Sequence, residues 1–410
     1  MANKNPMLSI YSVGFMNTFC SSLLIAVLPQ TIRNLGFSDI FYGICLSVFS
    51  FTQFFSTPLL GEMSDDMGRR KLLLLCQIGT FFSWIIFAMA YFSDKIWLFP
   101  SALVLIIIII ARAFDGITGG NYSIANAYII DISDKNQTIK RFANVGAIAG
   151  IGLILGSAIG NLSNSSGIGY LGTALVALTI SLIAFLFTYF FLPETKQKVR
   201  KFIFNTQILR KINVFARMKS LRLNSFVKSL LAVRFFTSVG GFAYMAVIIL
   251  QVLDVFQFNS SQLSIFLFFV GSFVIINQFF VVKKLIKLCG QKKSVLIGLF
   301  LSFTGVLLIG TTTNLVIFIV FEYLFNLGFS IITTILKNLI SENTSAEIQG
   351  EAMGVDDAFN ALGKIVAPFF GTLTYQYFNS QSFAVFAIVV LVSIIIYIKA
   401  LIKLKSTSAA

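Results

Sequence analysis

Histidine is absent from the 410-residue chain, and with it go histidine metal sites and histidine proton relays. Any proton carried by a side chain must therefore ride on a carboxylate. Cysteine is scarce: Cys20, Cys45, Cys76 and Cys289 lie far apart, without CxxC or other metal-ligand spacing, so they read as small apolar residues rather than a disulfide or metal framework. No phosphate-binding P-loop is present, which excludes ATP hydrolysis as a driving reaction. No nucleophile–base set or metal cluster stands out, so catalytic residues and cofactors are expected to be none and an enzyme is the least favoured class. Charge is scarce as well, at 11% against about 25% in soluble domains.

What fills the chain instead is apolar. Hydrophobic residues make up 57% and the mean hydropathy is +0.88, the composition of an integral membrane protein. A helix needs about 20 apolar residues to cross a bilayer. Twelve runs qualify, centred near residues 19, 49, 82, 112, 152, 180, 239, 271, 302, 327, 365 and 392. The first follows a nearly uncharged start holding only Lys4 and shows no small-residue cleavage site, so it is expected to be a retained helix. The net charge of +15 raises the question of a nucleic-acid partner, and its distribution answers it. With the N-terminus inside, only Arg33 and Lys95 of the 31 Lys and Arg fall outside and Arg112, Arg234 and Lys364 fall within spans, leaving 26 on the inner side. That is a membrane protein's positive-inside bias. Both termini are expected to be cytoplasmic, in a bacterial-type inner membrane, with lipid and a small molecule as partners, no nucleic acid, and a monomer as the unit.

The most informative segment, Gly61-Glu62-Met63-Ser64-Asp65-Asp66-Met67-Gly68-Arg69-Arg70-Lys71, lies between two long apolar runs. Too short for a folded loop, it must reverse the chain at a water-facing surface. The fourth run ends in Ala127-Tyr128-Ile129-Ile130-Asp131-Ile132, and the sixth in Leu192-Pro193-Glu194-Thr195. The fifth places Gly146, Gly150, Gly152, Gly156 and Gly160 on a tightly packing face. The second half echoes the first: Gly290-Gln291-Lys292-Lys293 stands 222 residues after Gly68-Arg69-Arg70-Lys71, and Ala367-Pro368-Phe369-Phe370-Gly371 echoes Gly156-Ser157-Ala158-Ile159-Gly160. Together these residues resemble the major facilitator superfamily over nearly the whole chain, most closely its drug:proton antiporter branch.

The resemblance implies an all-α fold of twelve transmembrane helices in two pseudo-symmetric six-helix halves, over 1–192 and 224–410, joined by a basic cytoplasmic linker, 193–223. It also implies alternating access around a central site, and a conformational hinge at Gly61, Asp65, Gly68, Arg69 and Arg70 acting with Asp131. Asp66 stands where the family carries a basic residue, and Ser157 replaces the proline of an antiporter motif. Tetracycline exporters carry acids in their first, third and ninth helices. Those spans have none here, so tetracycline is not the expected cargo.

The charges inside the spans supply the candidate site, because intramembrane charges face a bundle interior or a wet cavity. Arg112, Asp115, Gly119, Tyr122 and Asn126 share a face on one continuous fourth helix. Arg234 lies in the seventh run, Glu322 in the tenth with Asn326 and Ser330 on its face, and Asp356, Asp357, Asn360 and Lys364 in the eleventh. Glu322 and, second, Asp115 are the expected proton-coupling groups. Arg112, Arg234, Asn326, Asn360, Lys364 and Tyr122 are the expected substrate contacts. Asp356 and Asp357 are expected to meet the arginines of the 61–71 turn, and Gly152, Gly156, Gly160 and Pro368 to pack helices. If Arg112 pairs with Asp115 and Lys364 with Asp357, Arg234 is left free for an anion; a Glu322 paired with Arg234 or Lys364 would never titrate. Uptake or exchange of an organic anion, and a proton-independent facilitator or receptor, stay open beside proton-coupled efflux.

Overall fold

The computed structural model describes residues 6–96, 98–133, 135–165, 168–195, 221, 223–345 and 348–409. Most of the basic linker, 196–220 and 222, lies outside them. Among the described residues the chain is helical throughout, without a strand. It divides into two units, Met1–Ile208 with Asn259–Phe268, and Leu209–Phe258 with Phe269–Ala410.

The first unit is built from α1 (Pro6–Asn34), α2 (Asp39–Met67), α3 (Arg69–Lys95), α4 (Ser101–Ile117), α5 (Asn121–Asp131), α6 (Lys135–Ser165) and α7 (Tyr170–Phe191). The second holds α8 (Ser225–Asp254), the C-terminal part of α9 (Ser260–Ile276), a π-helical turn (Asn277–Val281), α10 (Val282–Ile309), α11 (Leu315–Glu342), α12 (Gln349–Phe378), a short 3-10 turn and α13 (Ser382–Ala409). Length and apolarity qualify nine described stretches to cross a membrane, rather than twelve. Glu351–Leu404 counts once although it contains α12 and α13, and the apolar parts of α6 and α9, Asn144–Gly160 and Gln262–Ile276, fall below the required length.

The chain reversal expected across 61–71 is made by a single residue. Helix α2 runs through Gly61 to Met67, Gly68 takes φ +97, and α3 begins at Arg69. Gly290 repeats that conformation at φ +73, breaking α10 internally 222 residues later. Only glycine adopts this backbone without strain. Gly61 is therefore no part of the turn: it is helical, and a Cβ there would meet nothing within 4 Å.

Small residues bring helices together where sequence spacing implied they could. A Cβ on Gly152 would fall 2.5 Å from Thr18 Oγ1, one on Gly156 would collide with Ser22 and Phe19 O, and one on Gly160 would fall 3.1 Å from Leu23 O, so α6 lies backbone-close along α1. In the second unit α12 lies along α8 in the same way, with Gly371 against Ala243 O and Gly363 against Ser238. Pro368 is buried within α12, and its carbonyl accepts from Thr372 Oγ1 at 2.9 Å. Cys20, Cys45 and Cys76 are buried, while Cys289, beside the Gly290 turn, is partly exposed.

The fourth run is not the continuous helix that the shared face required. It breaks at Thr118–Gly120 between α4 and α5. Glycines press the break against α2: a Cβ on Gly116 would collide with Thr52 Oγ1, and one on Gly120 would lie 2.6 Å from Leu60. Ser56 Oγ donates to Gly116 O and Gln53 Nε2 to Gly119 O, each at 2.9 Å. Carbonyls released by the break thus find donors on α2, which is how a broken helix survives at membrane depth.

Candidate functional site

In the first unit, the Gly68 turn is held by an ionic knot around Arg69. The guanidinium is buried, with 7% exposure, and pairs with Asp65 at 2.6 Å and with Asp131 Oδ2 at 3.0 Å; it also donates to Ser64 Oγ. Asp131 reaches it because α5 ends at the same level, and Thr195 Oγ1 donates to the same Asp131 oxygen at 3.2 Å. Arg70 Nη2 donates to Tyr189 O at 2.7 Å, its guanidinium 5.7 Å from that ring centroid.

Glu194 completes this end of the unit, and sequence reasoning gave it no role. Its carboxylate accepts from the backbone N–H of Arg69 at 2.8 Å and of Arg70 at 3.1 Å, serving as the cap that Gly68 cannot supply. Tyr128 OH fastens the same strap by donating to Pro193 O at 3.0 Å. A signal was present: a lone acid at a helix exit, ahead of a purely basic stretch, in a chain whose third helix starts without a side-chain cap.

Deeper in this unit Arg112 and Asp115 pair at 2.7 Å, one helical turn apart. The Arg112 guanidinium also lies 4.3 Å from the Phe49 ring centroid, on α2. A cation held by a carboxylate and an aromatic face needs no ligand to neutralise it. Asn126 and Tyr122 belong to α5, beyond the break, and Tyr122 is 45% exposed.

In the second unit, two expected pairings are replaced. Arg234 is not the free cation: Nε donates to Asp356 Oδ1 at 2.7 Å and Nη2 to Oδ2 at 3.0 Å, a fork-on-carboxylate pair between α8 and α12. Asp356, expected to meet the arginines of the 61–71 turn, has both oxygens engaged by Arg234 and is 1% exposed. Asp357 pairs with Lys337 of α11 at 3.0 Å rather than with Lys364. The reason is register: adjacent on α12, the two acids point about 100° apart, one into α8 and one outward.

Glu322 is 1% exposed on α11. Oε1 accepts from Asn326 Nδ2 at 2.6 Å, while Oε2 is buried with no hydrogen-bond partner among the described residues. No cation lies within ion-pair distance of it there. On either side of it in sequence α11 packs backbone-close on α10, where a Cβ on Gly305 would fall 2.5 Å from Phe325 N and 2.9 Å from Phe321 O. Asn326, expected to touch substrate, is instead buried and committed to Glu322. Sequence reasoning also passed over Asn277: the π-helical turn buries its amide completely, with neither polar atom partnered among the described residues. An Asn-Gln step within an apolar run was the available signal.

Lys364 remains. Its ammonium lies 5.1 Å from the Phe242 ring centroid, and no carboxylate approaches within ion-pair distance among the described residues. One turn before it, Asn360 Oδ1 accepts from Ser238 Oγ at 2.7 Å.

Apolar helices repeated in two units, with Arg112–Asp115 and Arg234–Asp356 paired inside them, mark a polytopic membrane protein. A sequence model of the Major Facilitator Superfamily matches residues 10–288 and 230–409, and the chain belongs to that superfamily. It is a membrane transporter and not an enzyme. Among known proteins it is similar to the class C tetracycline resistance protein of Escherichia coli, 25% identical over 379 residues covering 92% of this chain and 91% of the relative. The quinolone resistance protein NorA of Staphylococcus aureus is 23% identical, covering 84% of each chain. Among solved structures, a D-xylose-proton symporter superposes with TM-score 0.76 at 15% identity, over 95% of this chain and 96% of its own. The human organic anion transporter TETRAN does so with TM-score 0.71 at 20% identity, over 97% of this chain and 100% of its own. These two likenesses establish the fold.

Proposed function

We propose that this transporter exports a small organic molecule in exchange for protons, with Glu322 as the principal proton-carrying group and Asp115 second. The observation that carries the reading is the Glu322 carboxylate: buried on α11, with one oxygen on Asn326 and, among the described residues, the other unpartnered and no cation within ion-pair distance. Burying an ionised carboxylate without a counter-charge is costly, so the closed site favours the acid form and gives up its proton only where water or a cation reaches it. Asp115 is second because Arg112 already neutralises it. The resistance proteins among its relatives support export as the direction. Both termini are assigned to the cytoplasm of a bacterial-type inner membrane, where the chain acts as a monomer.

The test is Glu322→Gln in proteoliposomes. The variant is expected to lose accumulation driven by an imposed proton gradient while retaining substrate binding and exchange. Undiminished proton-driven transport would remove Glu322 from the mechanism. Uptake or exchange of an organic anion is the second reading, favoured by Lys364, the intramembrane cation without an acid partner among the described residues. Flux in inverted against right-side-out vesicles separates the two directions.

A further inference from the structure

Helix α12 exposes two different faces. Val366 and Phe369, 46% and 41% exposed, lie about 160° and 140° around the helix from Lys364 and form an apolar face suited to lipid. Asp357, Asn360 and Lys364 lie within about 60° of one another on the opposite side and form a polar stripe. Lys364 is exposed on that stripe, and its position is deep: 15 residues from Gln349 and 14 from Phe378 put it about 20 Å from either end of α12. A lipid headgroup sits at the ends of such a rod, not at its middle.

The surroundings of Lys364 are built from α8. The collision that a Cβ on Gly363 would have with Ser238 Cβ, at 2.5 Å, marks where the two helices touch, and one turn further the Phe242 ring comes under the ammonium. At the contact Ser238 Oγ donates to the Asn360 carbonyl oxygen, so the amide NH₂ is the end of that side chain left uncommitted among the described residues. Lysine and the amide NH₂ are both donor groups, one helical turn apart on α12, and no hydrogen-bond acceptor engages either among the described residues. Beyond Phe242 the apolar lining is aromatic: Phe242 meets Phe329 edge-on at 6.1 Å, and Phe329 stacks on Phe325 at 5.6 Å.

We propose that Lys364, Asn360 and the Phe242–Phe329 aromatic pair form a subsite for an organic monoanion with a planar apolar body. The anionic head binds the two donor groups and the ring system lies along the phenylalanines. A cation without a counter-ion at mid-span is stabilised when an anion arrives, and two donors with an aromatic wall match one such head attached to a ring. The inference rests on the transport reading only in treating the ligand as cargo; binding itself is independent of it.

Naphthalene-1-sulfonate, permanently anionic, is the probe, with naphthalene-1-sulfonamide as neutral and 1-naphthylmethylammonium as cationic counterparts. Calorimetry on the full chain in nanodiscs should show the sulfonate bound at least about tenfold more tightly than the sulfonamide. Lys364→Gln should remove that preference, Lys364→Arg should keep it within about threefold, and Asn360→Asp should weaken the sulfonate about tenfold by placing a like charge beside it. The conservative Phe242→Leu variant should weaken sulfonate and sulfonamide alike. Equal affinity of the unaltered protein for sulfonate and sulfonamide would overturn the subsite, as would preference for the ammonium or undiminished sulfonate binding in Lys364→Gln. Proton-driven movement of ethidium that ignores sulfonates would uphold the transport reading and overturn the subsite. Lys364-dependent binding with no proton-driven flux would uphold the subsite and overturn the coupling.

Discussion

Arg234 and Asp356 illustrate how much a single buried charge depends on its partner. Each is nearly inaccessible, and each is the other's counter-ion through two parallel hydrogen bonds. Removing one partner strands the other in a low-dielectric interior, which costs about 3–5 kcal/mol, whereas replacing both by apolar side chains of similar volume is close to neutral. Asp356→Asn and Arg234→Gln should therefore each lower the unfolding temperature in detergent sharply, while the double variant Arg234→Met with Asp356→Leu should recover most of the loss. A double variant as unstable as the singles would deny the pairing. Arg234 was legible in the sequence as an intramembrane cation, but its partner was not, because the two are 122 residues apart and nothing along the chain says which helices touch. Glu322 was legible only in part: its along-helix neighbours showed no cation within two turns, but whether Arg234 or Lys364 met it from another helix could not be read from the sequence.

At the scale of elements, the two positive-φ glycines permit a comparison within one molecule. Gly68 and Gly290 make the same reversal, yet a Cβ at Gly68 would fall 2.5 Å from the Glu194 carboxylate that caps α3, and a Cβ at Gly290 would meet nothing within 4 Å. Alanine at either position bears a left-handed backbone cost of about 1–2 kcal/mol. Gly68→Ala should lose about 1 kcal/mol more through the displaced cap. Thermal unfolding should rank Gly68→Ala below Gly290→Ala, and in a Glu194→Ala background the gap should close. An unchanged gap would separate the cap from the turn. The position of the reversal was readable because glycine punctuation is local. The α4–α5 break was missed because helical spacing continues across it, and the features that permit it, Gln53 and Ser56, belong to a different helix.

At the scale of the whole molecule, class and family were carried by composition, periodicity and the two glycine–basic turns, all of which survive reading in one dimension. The site's polar partners were not, since packing between helices decides them. The charge asymmetry of the loops leads us to expect both turns on the cytoplasmic side. Asp66→Cys, and the natural Cys289, should both react with a membrane-impermeant maleimide in inverted vesicles and not in right-side-out ones; opposite sidedness for the two would overturn that topology. The experiment needs little engineering because of where the thiols lie. Three of the four are enclosed by helix packing and the fourth stands beside the Gly290 turn, so the unaltered chain should take up close to one equivalent of a bulky fluorophore, delivering a singly labelled transporter for distance spectroscopy with every native cysteine still in place.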